Sequence, residues 1–285
     1  MIDLLIILVL GTIWGAVYSL IAVGFTLIFG VAGIVNLSHG AFYMLGAYLA
    51  YTFMTLLNIN VPLSALMAVA GVAVIGLAID YFGIRPMRER EAYVLILTLA
   101  LAFFFQELMY GIYGPYGKAV KSFVKGYIVI GIIDVSYQKL IALFVSAALV
   151  ALLWFFLKKT KTGKSISAVA QNKDASILVG IQNEKVYRMT MAISAALAAT
   201  AGVFISPLLE ATPTMWTFPL FKAFAIVIIG GLGSMEGAII ASLLLGYSET
   251  LVSILLSANY SDMVYLFAII VILAVRPTGL QGRAQ

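Results

Sequence analysis

LLIILVLGTIWGAVYSLIAVGFTLIFGVAGIVNLS, residues 4–38, contains no Asp, Glu, Lys or Arg. A helix needs about 20 mostly apolar residues to cross about 30 Å of hydrocarbon. This run is too long for one simple crossing. Glycines at 11, 15, 24, 30 and 33 punctuate it, and it closes in Asn36-Leu37-Ser38-His39-Gly40. Further apolar runs cover 41–57, 63–79, 92–113, 140–157, 189–209, 218–229, 238–256 and 263–275. The pattern predicts an all-α polytopic membrane protein of eight or nine transmembrane helices, with broken or re-entrant segments near 33–40 and 230–237. Residues 1–285 read as one transmembrane domain with no linker.

Composition excludes the alternatives. Of 285 residues, 63% are hydrophobic and 10% charged, against roughly 45–50% and ~25% in soluble domains. Mean hydropathy is +1.10. The absence of Cys removes disulfide frameworks and thiolate chemistry, and a single His leaves no His-rich metal site. No catalytic residue set and no metal or cofactor site emerges, so the chain does not read as an enzyme. The net charge of +5 is no nucleic-acid signal, because the bases sit at the ends of apolar runs. Asp3 and the lack of a basic leader argue against a cleavable signal peptide.

Lys and Arg concentrate on the cytoplasmic side of membrane proteins. Lys158, Lys159, Lys161, Lys164, Lys173, Lys185 and Arg188 place 158–188 in the cytoplasm. Arg85, Arg88 and Arg90, two crossings away, agree, as do Arg276 and Arg283. The 114–139 loop then lies outside despite Lys118, Lys121 and Lys125, and its core 127–133 reads as a short strand. The N-terminus is external if Asn36–Gly40 is a cytoplasmic turn, and internal if that stretch breaks a single helix.

Within 158–188, Ile166, Val169, Ala170, Ile177 and Leu178 recur at helical spacing around Asn172-Lys173-Asp174. Two short helices at the membrane face follow, with Asp174 as N-cap and Gly180 as the left-handed C-terminal residue. Such a pair serves either as an amphipathic connector on anionic lipid or as a docking element for a cytoplasmic partner.

Ala168-x-Ala170-Gln171-Asn172 and Ala175-x4-Gly180-Ile181 resemble the cytoplasmic loop of ABC importer permeases. The stretch Gly24 to Ala41, and Ala225 to Gly237 with its Gly230-Gly231-Leu232-Gly233-Ser234-Met235-Glu236-Gly237 ending, are similar to segments of the branched-chain amino acid permeases of LivH/LivM type. The length matches the shorter, LivH-like member. The resemblance implies a permease subunit of an ATP-driven importer for branched-chain or related amino acids, working by alternating access in a bacterial or archaeal cell (inner) membrane. It implies a second, LivM-like permease, two cytoplasmic ATPases and an extracytoplasmic binding protein as partners. Family members for urea or short amides look alike at this level, and an ion-coupled secondary transporter is the more distant alternative. Gly163, Ala168, Ala170, Gln171, Asn172, Ala175 and Gly180 fall in the ATPase-coupling loop. ATP hydrolysis belongs to the partners: Lys158 stands where a Gly-x4-Gly-Lys-Ser phosphate loop needs its first glycine.

Irregular polar backbone at membrane depth is tolerated only inside protein or against water. Asn36, Ser38, His39 and Gly40 read either as a plain turn or as a break on the substrate path. Placing His39-Gly40-Ala41 over Glu236-Gly237-Ala238 also pairs Gly33 with Gly230. Paired Gly-interrupted segments point to a transporter site, which brings Gly231, Gly233, Ser234 and Glu236 into the pathway set. Glu107, Lys222 and Glu249 lie in or near apolar runs, as gating or contact residues or as interhelical ion pairs with snorkelling side chains. The small residues of 189–204 fit either a subunit interface or packing within one subunit.

Overall fold

The computed structural model describes residues 2–130, 133–276 and 278–281. Helix α1 runs Ile2–Ala32, α2 Ser38–Tyr51 with a π-helical extension Thr52–Leu56, and α3 Val61–Ala78, continued by a wider π-helical stretch Ile79–Ile84 and a tight 3-10 turn Arg85–Met87. Helix α4 covers Glu91–Tyr113. Strands β1 (Tyr127–Ile130) and β2 (Ile133–Ser136) pair before α5, Tyr137–Lys159. Two short helices follow, α6 Lys161–Gln171 and α7 Lys173–Leu178, then α8 Asn183–Leu209. Helices α9 (Thr217–Gly230), α10 (Met235–Leu255), α11 (Ala258–Ser261) and α12 (Met263–Val275) complete the chain. Seven helices among the described residues are long and apolar enough to cross a membrane. Helix α9, with 14 residues, spans about 21 Å at 1.5 Å per residue, too little to cross alone, and α2, also of 14 residues, is lengthened by its π-helical extension. The protein is a multi-pass membrane protein.

The two ends of the bundle differ. One carries the Lys- and Arg-rich segments 85–90 and 158–188, the other the β-hairpin. The sequence suggested one strand over 127–133. An antiparallel hairpin forms instead, registering Tyr127 with Ser136, and its second strand recruits residues 134–136. Residues 131 and 132 of that expected strand, and Arg283 of the charge pattern, lie outside the described residues.

Glycine sets the closest packing. Helices α1 and α10 run antiparallel, with Gly30 against Gly233 and Gly11 and Gly15 against Gly246. A side chain at Gly246 would strike the backbone of Gly11 and Gly15, and small residues let helices approach this closely in lipid. The 189–204 stripe is used in the same way inside the subunit. Ala199 packs on Gly46, Gly202 on Tyr43, and Ala195 on Gly76. Of the two readings of that stripe, packing within one subunit is the one realised.

Helix α1 ends at Gly33, whose φ of +70° and N–H to Phe29 O at 2.9 Å make a left-handed helix stop. The chain then reverses. His39 lies beside Ile21, eleven residues before Ala32 and hence about 16 Å up α1. Residues 33–37 therefore climb back along α1, and α2 starts inside the bundle. The stretch is both a reversal and a buried break. The first residues of α1 consequently sit at the hairpin end, which selects the external N-terminus of the two alternatives once the basic end is taken as cytoplasmic.

Helix α9 is reached in a similar way. Ala211 pairs with Lys118 at the hairpin end, and Trp216 already packs over Gly40 at the buried start of α2. The short loop 210–217, marked in the sequence by Pro213 and Trp216 between two apolar runs, thus enters the bundle at its 212–216 portion.

Candidate functional site

The buried break is built from side chains that satisfy its backbone. Asn36 Oδ1 accepts from the Ser38 N–H at 3.1 Å and the Ser38 hydroxyl at 2.6 Å. The Leu37 N–H donates to Thr98 Oγ1 on α4 at 3.1 Å. His39 Nε2 lies 3.0 Å from Ile21 O, and its Nδ1 lies 3.1 Å from Ser194 Oγ on α8. A carbonyl only accepts, so Nε2 carries the proton and Nδ1 accepts from the serine. Phe25 and Phe42 meet the imidazole edge-on. Asn36, Ser38 and His39 are all at most 1% exposed, so in this conformation they are wedged between α1, α4 and α8.

The second break lies at the basic end. Gly231 and Gly233 have φ of +101° and +80°, which lets the chain turn from α9 into α10. Ser234 caps α10 by accepting from the Gly237 N–H at 3.0 Å. Glu236 is exposed and pairs with Lys158 at 3.5 Å. The tail folds beneath this turn, with Leu280 N–H on Ile229 O at 2.8 Å and Gln281 N–H on Gly230 O at 3.0 Å. These two bonds satisfy carbonyls left free at the end of α9.

A cavity of about 1120 Å³ opens at the basic end between α1, α4, α6 and 232–236. Its inner wall is apolar, with Val23, Leu27 and Leu95, and its mouth carries Glu91, Gln171 and Glu236. The cavity gathers Gly233, Ser234 and Glu236 with Ala170 and Gln171. It does not include Asn36, Ser38, His39 or Gly40, which lie behind its wall, nor Gly231. The buried residues 36–40 thus lie deeper than the second break, while Gly33 and Val35 at the start of the first break line the same cavity as 232–236.

Helices α6 and α7 form as expected, with one change of cap. Asn172, rather than Asp174, caps α7, accepting from the N–H groups of Asp174 and Ala175 at 3.0 and 2.9 Å. Asp174 occupies the first turn, where its charge suits the helix dipole. Gly180 has φ of +82° with open space around it, as expected of a left-handed stop. Ile166 and Val169 are buried against the bundle, but Ile177, Leu178 and Val179 are 59%, 88% and 75% exposed. The apolar residues of α7 thus form a patch that the described residues of the chain leave uncovered. Gly163 is buried under the end of α5, where any side chain would strike Phe156 and Leu157. Ala168 is partly covered, while Ala170, Gln171, Asn172, Ala175 and Gly180 face out.

The profile of a family described as "Branched-chain amino acid transport system / permease component" matches residues 7–274. The chain belongs to that family. Similar curated proteins include the high-affinity branched-chain amino acid transport permease LivH of Salmonella typhimurium, 30% identical over 96% of this chain and 94% of its own. BraD of Pseudomonas aeruginosa is 30% identical over 98% of this chain and 95% of its own. The fold is similar to PsaBC from Streptococcus pneumoniae, solved with a Fab, at a TM-score of 0.55 and 13% identity, covering 95% of this chain and 92% of that one.

Two further clusters in this permease escaped the sequence. Arg88 donates to buried Asp80 at 2.7 Å and to Glu184 at 2.8 Å, and stacks on Tyr187 at 4.2 Å. This knot fastens the end of α3 to the start of α8. Asp80 closing an apolar run was its only local signal. The other is a clip on α7: Asn183 Nδ2 donates to Lys173 O and Ser176 Oγ donates to Asn183 Oδ1, each at 2.8 Å. Of the charges left open by the sequence, Lys222 and Glu249 form an interhelical ion pair at 3.0 Å, whereas Glu107 is exposed.

Proposed function

We propose that this permease forms, with a second LivM-like permease, the transmembrane path of an ATP-driven importer for branched-chain or related amino acids. A binding protein delivers substrate at the hairpin end, outside the cell. Two ATPases dock at the basic end, in the cytoplasm, and this subunit brings no cofactor of its own. The observation that carries the reading is the exposed patch Ile177-Leu178-Val179 on the capped helix α7, clipped to α8. Apolar groups left in water at a defined helix end call for a protein partner.

The geometry supplies a route for the stroke. Displacing α7 pulls on Asn183 and hence on α8. Helix α8 holds the buried break through Ser194 on His39 and through Met191, whose sulfur lies 3.5 Å from Asn36 Nδ2. Moving α8 therefore shifts the start of α2, alternately covering and uncovering a path past Asn36, Ser38, His39 and Gly40. The cavity by Gly233, Ser234 and Glu236, beside Gly231, is the exit, and its apolar wall suits aliphatic side chains. Coupling rests on Ala168, Ala170, Gln171, Asn172, Ala175 and Gly180, with Gly163 setting how α6 meets α5.

The test is uptake of radiolabelled leucine into vesicles holding the full complex and its binding protein. ATP-dependent accumulation is expected. Accumulation driven by an ion gradient without ATP would establish a secondary transporter instead. Transport of urea or acetamide, but not leucine, would move the substrate class within the family.

A further inference from the structure

Four elements bring charged or phenolic side chains together in the hairpin half of the bundle. Lys222 of α9 lies 3.0 Å from Glu249 Oε2 of α10, 3.2 Å from Asp262 Oδ1 before α12 and 3.1 Å from the Tyr18 hydroxyl of α1. Tyr18 donates to Glu249 Oε2 at 2.7 Å. Glu249 is six residues, or about 9 Å, inside the end of α10. Ionisable groups at such depth are costly and mark functional sites by default.

The charges do not balance. Two carboxylates share one ammonium, leaving a net charge of −1. The second oxygen of Glu249, buried with the rest of a side chain only 7% exposed, has no donor among the described residues. A carboxylate oxygen can only accept, so this one lacks a hydrogen-bond donor. Access lies through Asp262, whose side chain is 50% exposed. The other three groups are largely covered, so a ligand arriving from the hairpin end meets a carboxylate first.

We propose that Lys222, Glu249 and Asp262 recognise the zwitterionic head of an α-amino acid during its passage. The ammonium group pairs with Asp262 and then with the free oxygen of Glu249. Lys222, released from Asp262, takes the substrate carboxylate. When no substrate is present the three side chains close on one another. A zwitterion supplies a partner to both sides of the separated ion pair, whereas a free amine leaves Lys222 with no incoming carboxylate and a free acid leaves Asp262 and Glu249 with no incoming ammonium. This site rests on the amino-acid import reading above and adds where in the subunit the head group is read.

The experiment measures leucine uptake per ATP hydrolysed by the reconstituted complex with its binding protein. Wild-type complex that imports no leucine overturns the import reading itself, separately from this site. In Lys222→Met/Glu249→Leu, which removes both members of the pair, uptake per ATP is expected to fall at least tenfold. Uptake within twofold of wild type overturns the proposal. If the double variant does not assemble, Asp262→Asn decides, since that side chain is half exposed. It is expected to raise the KM for transport at least fivefold, with rescue by Asp262→Glu, and an unchanged KM overturns the proposal.

Discussion

His39 illustrates how one side chain fixes a buried helix start. Its two ring nitrogens tie α1 and α8 to the first turn of α2, and two phenylalanines close around it. Truncation removes the ring and leaves the Ser194 hydroxyl unpaired. His39→Ala is expected to cost about 2–4 kcal/mol through cavity formation and a lost hydrogen bond, read as a lowered Tm of the purified protein. Arg88 is under a different constraint. Its pair with Asp80 is nearly dry, with side-chain exposures of 10% and 3%. Arg88→Gln strands a buried carboxylate and is expected to destabilise by about 3–5 kcal/mol. Adding Asp80→Asn should recover most of that loss in the same thermal assay. Polarity around position 39 was visible in the sequence because Asn, Ser and His interrupt an otherwise apolar chain. The partners were not, since Ile21 and Ser194 lie 18 residues before and 155 after it.

At the scale of elements, α7 depends on its cap. It has six residues, and a helix that short cannot sustain itself without terminal hydrogen bonds. Asn172→Ala removes a cap worth about 1 kcal/mol, and Asn172→Asp keeps it. Expected is a loss of leucine uptake in the alanine variant with unchanged Tm, and recovery in the aspartate variant. Gly180→Val has room but the wrong backbone, as φ is +82° there. Left-handed geometry costs about 1–2 kcal/mol for a residue with a side chain. It should disturb the exit from α7 and give the same uncoupled phenotype, measured as ATP hydrolysis without uptake. Periodicity revealed both short helices. It assigned the cap to Asp174 because Asp and Asn are equally good caps and stand two residues apart. It did not separate covered Ile166 and Val169 from exposed Ile177 and Leu178, because an apolar residue covered by a partner looks in sequence like one covered by its own protein.

For the whole molecule, run lengths were enough to predict an all-α polytopic membrane protein of eight or nine transmembrane helices, with two interrupted segments. Depth was another matter. Residues 210–217 read as a short loop, yet Trp216 enters the bundle to reach Gln106 Oε1 at 2.7 Å. Nothing local encodes that, because the partner sits on α4. The lack of cysteine makes depth measurable. A single Cys at Ser234, beside the cavity, is expected to react with a charged thiol reagent from the basic end at rest. A single Cys at Ser38 should stay protected until ATP turns over. Failure of both to react under either condition would rule out a path along the two breaks.

The two short helices also set a timetable for biogenesis. Helix α2 starts inside the bundle, and the helix that shields most of it, α8, begins 145 residues later. At about 5–20 residues per second, the nascent chain waits on the order of ten seconds with α2 lacking its final neighbour. Helix α9 faces no such delay, because α1, α2 and α8 precede it. The machinery that inserts this protein must therefore hold residues 38–56 at the edge of the bilayer until the second half of the chain has been made.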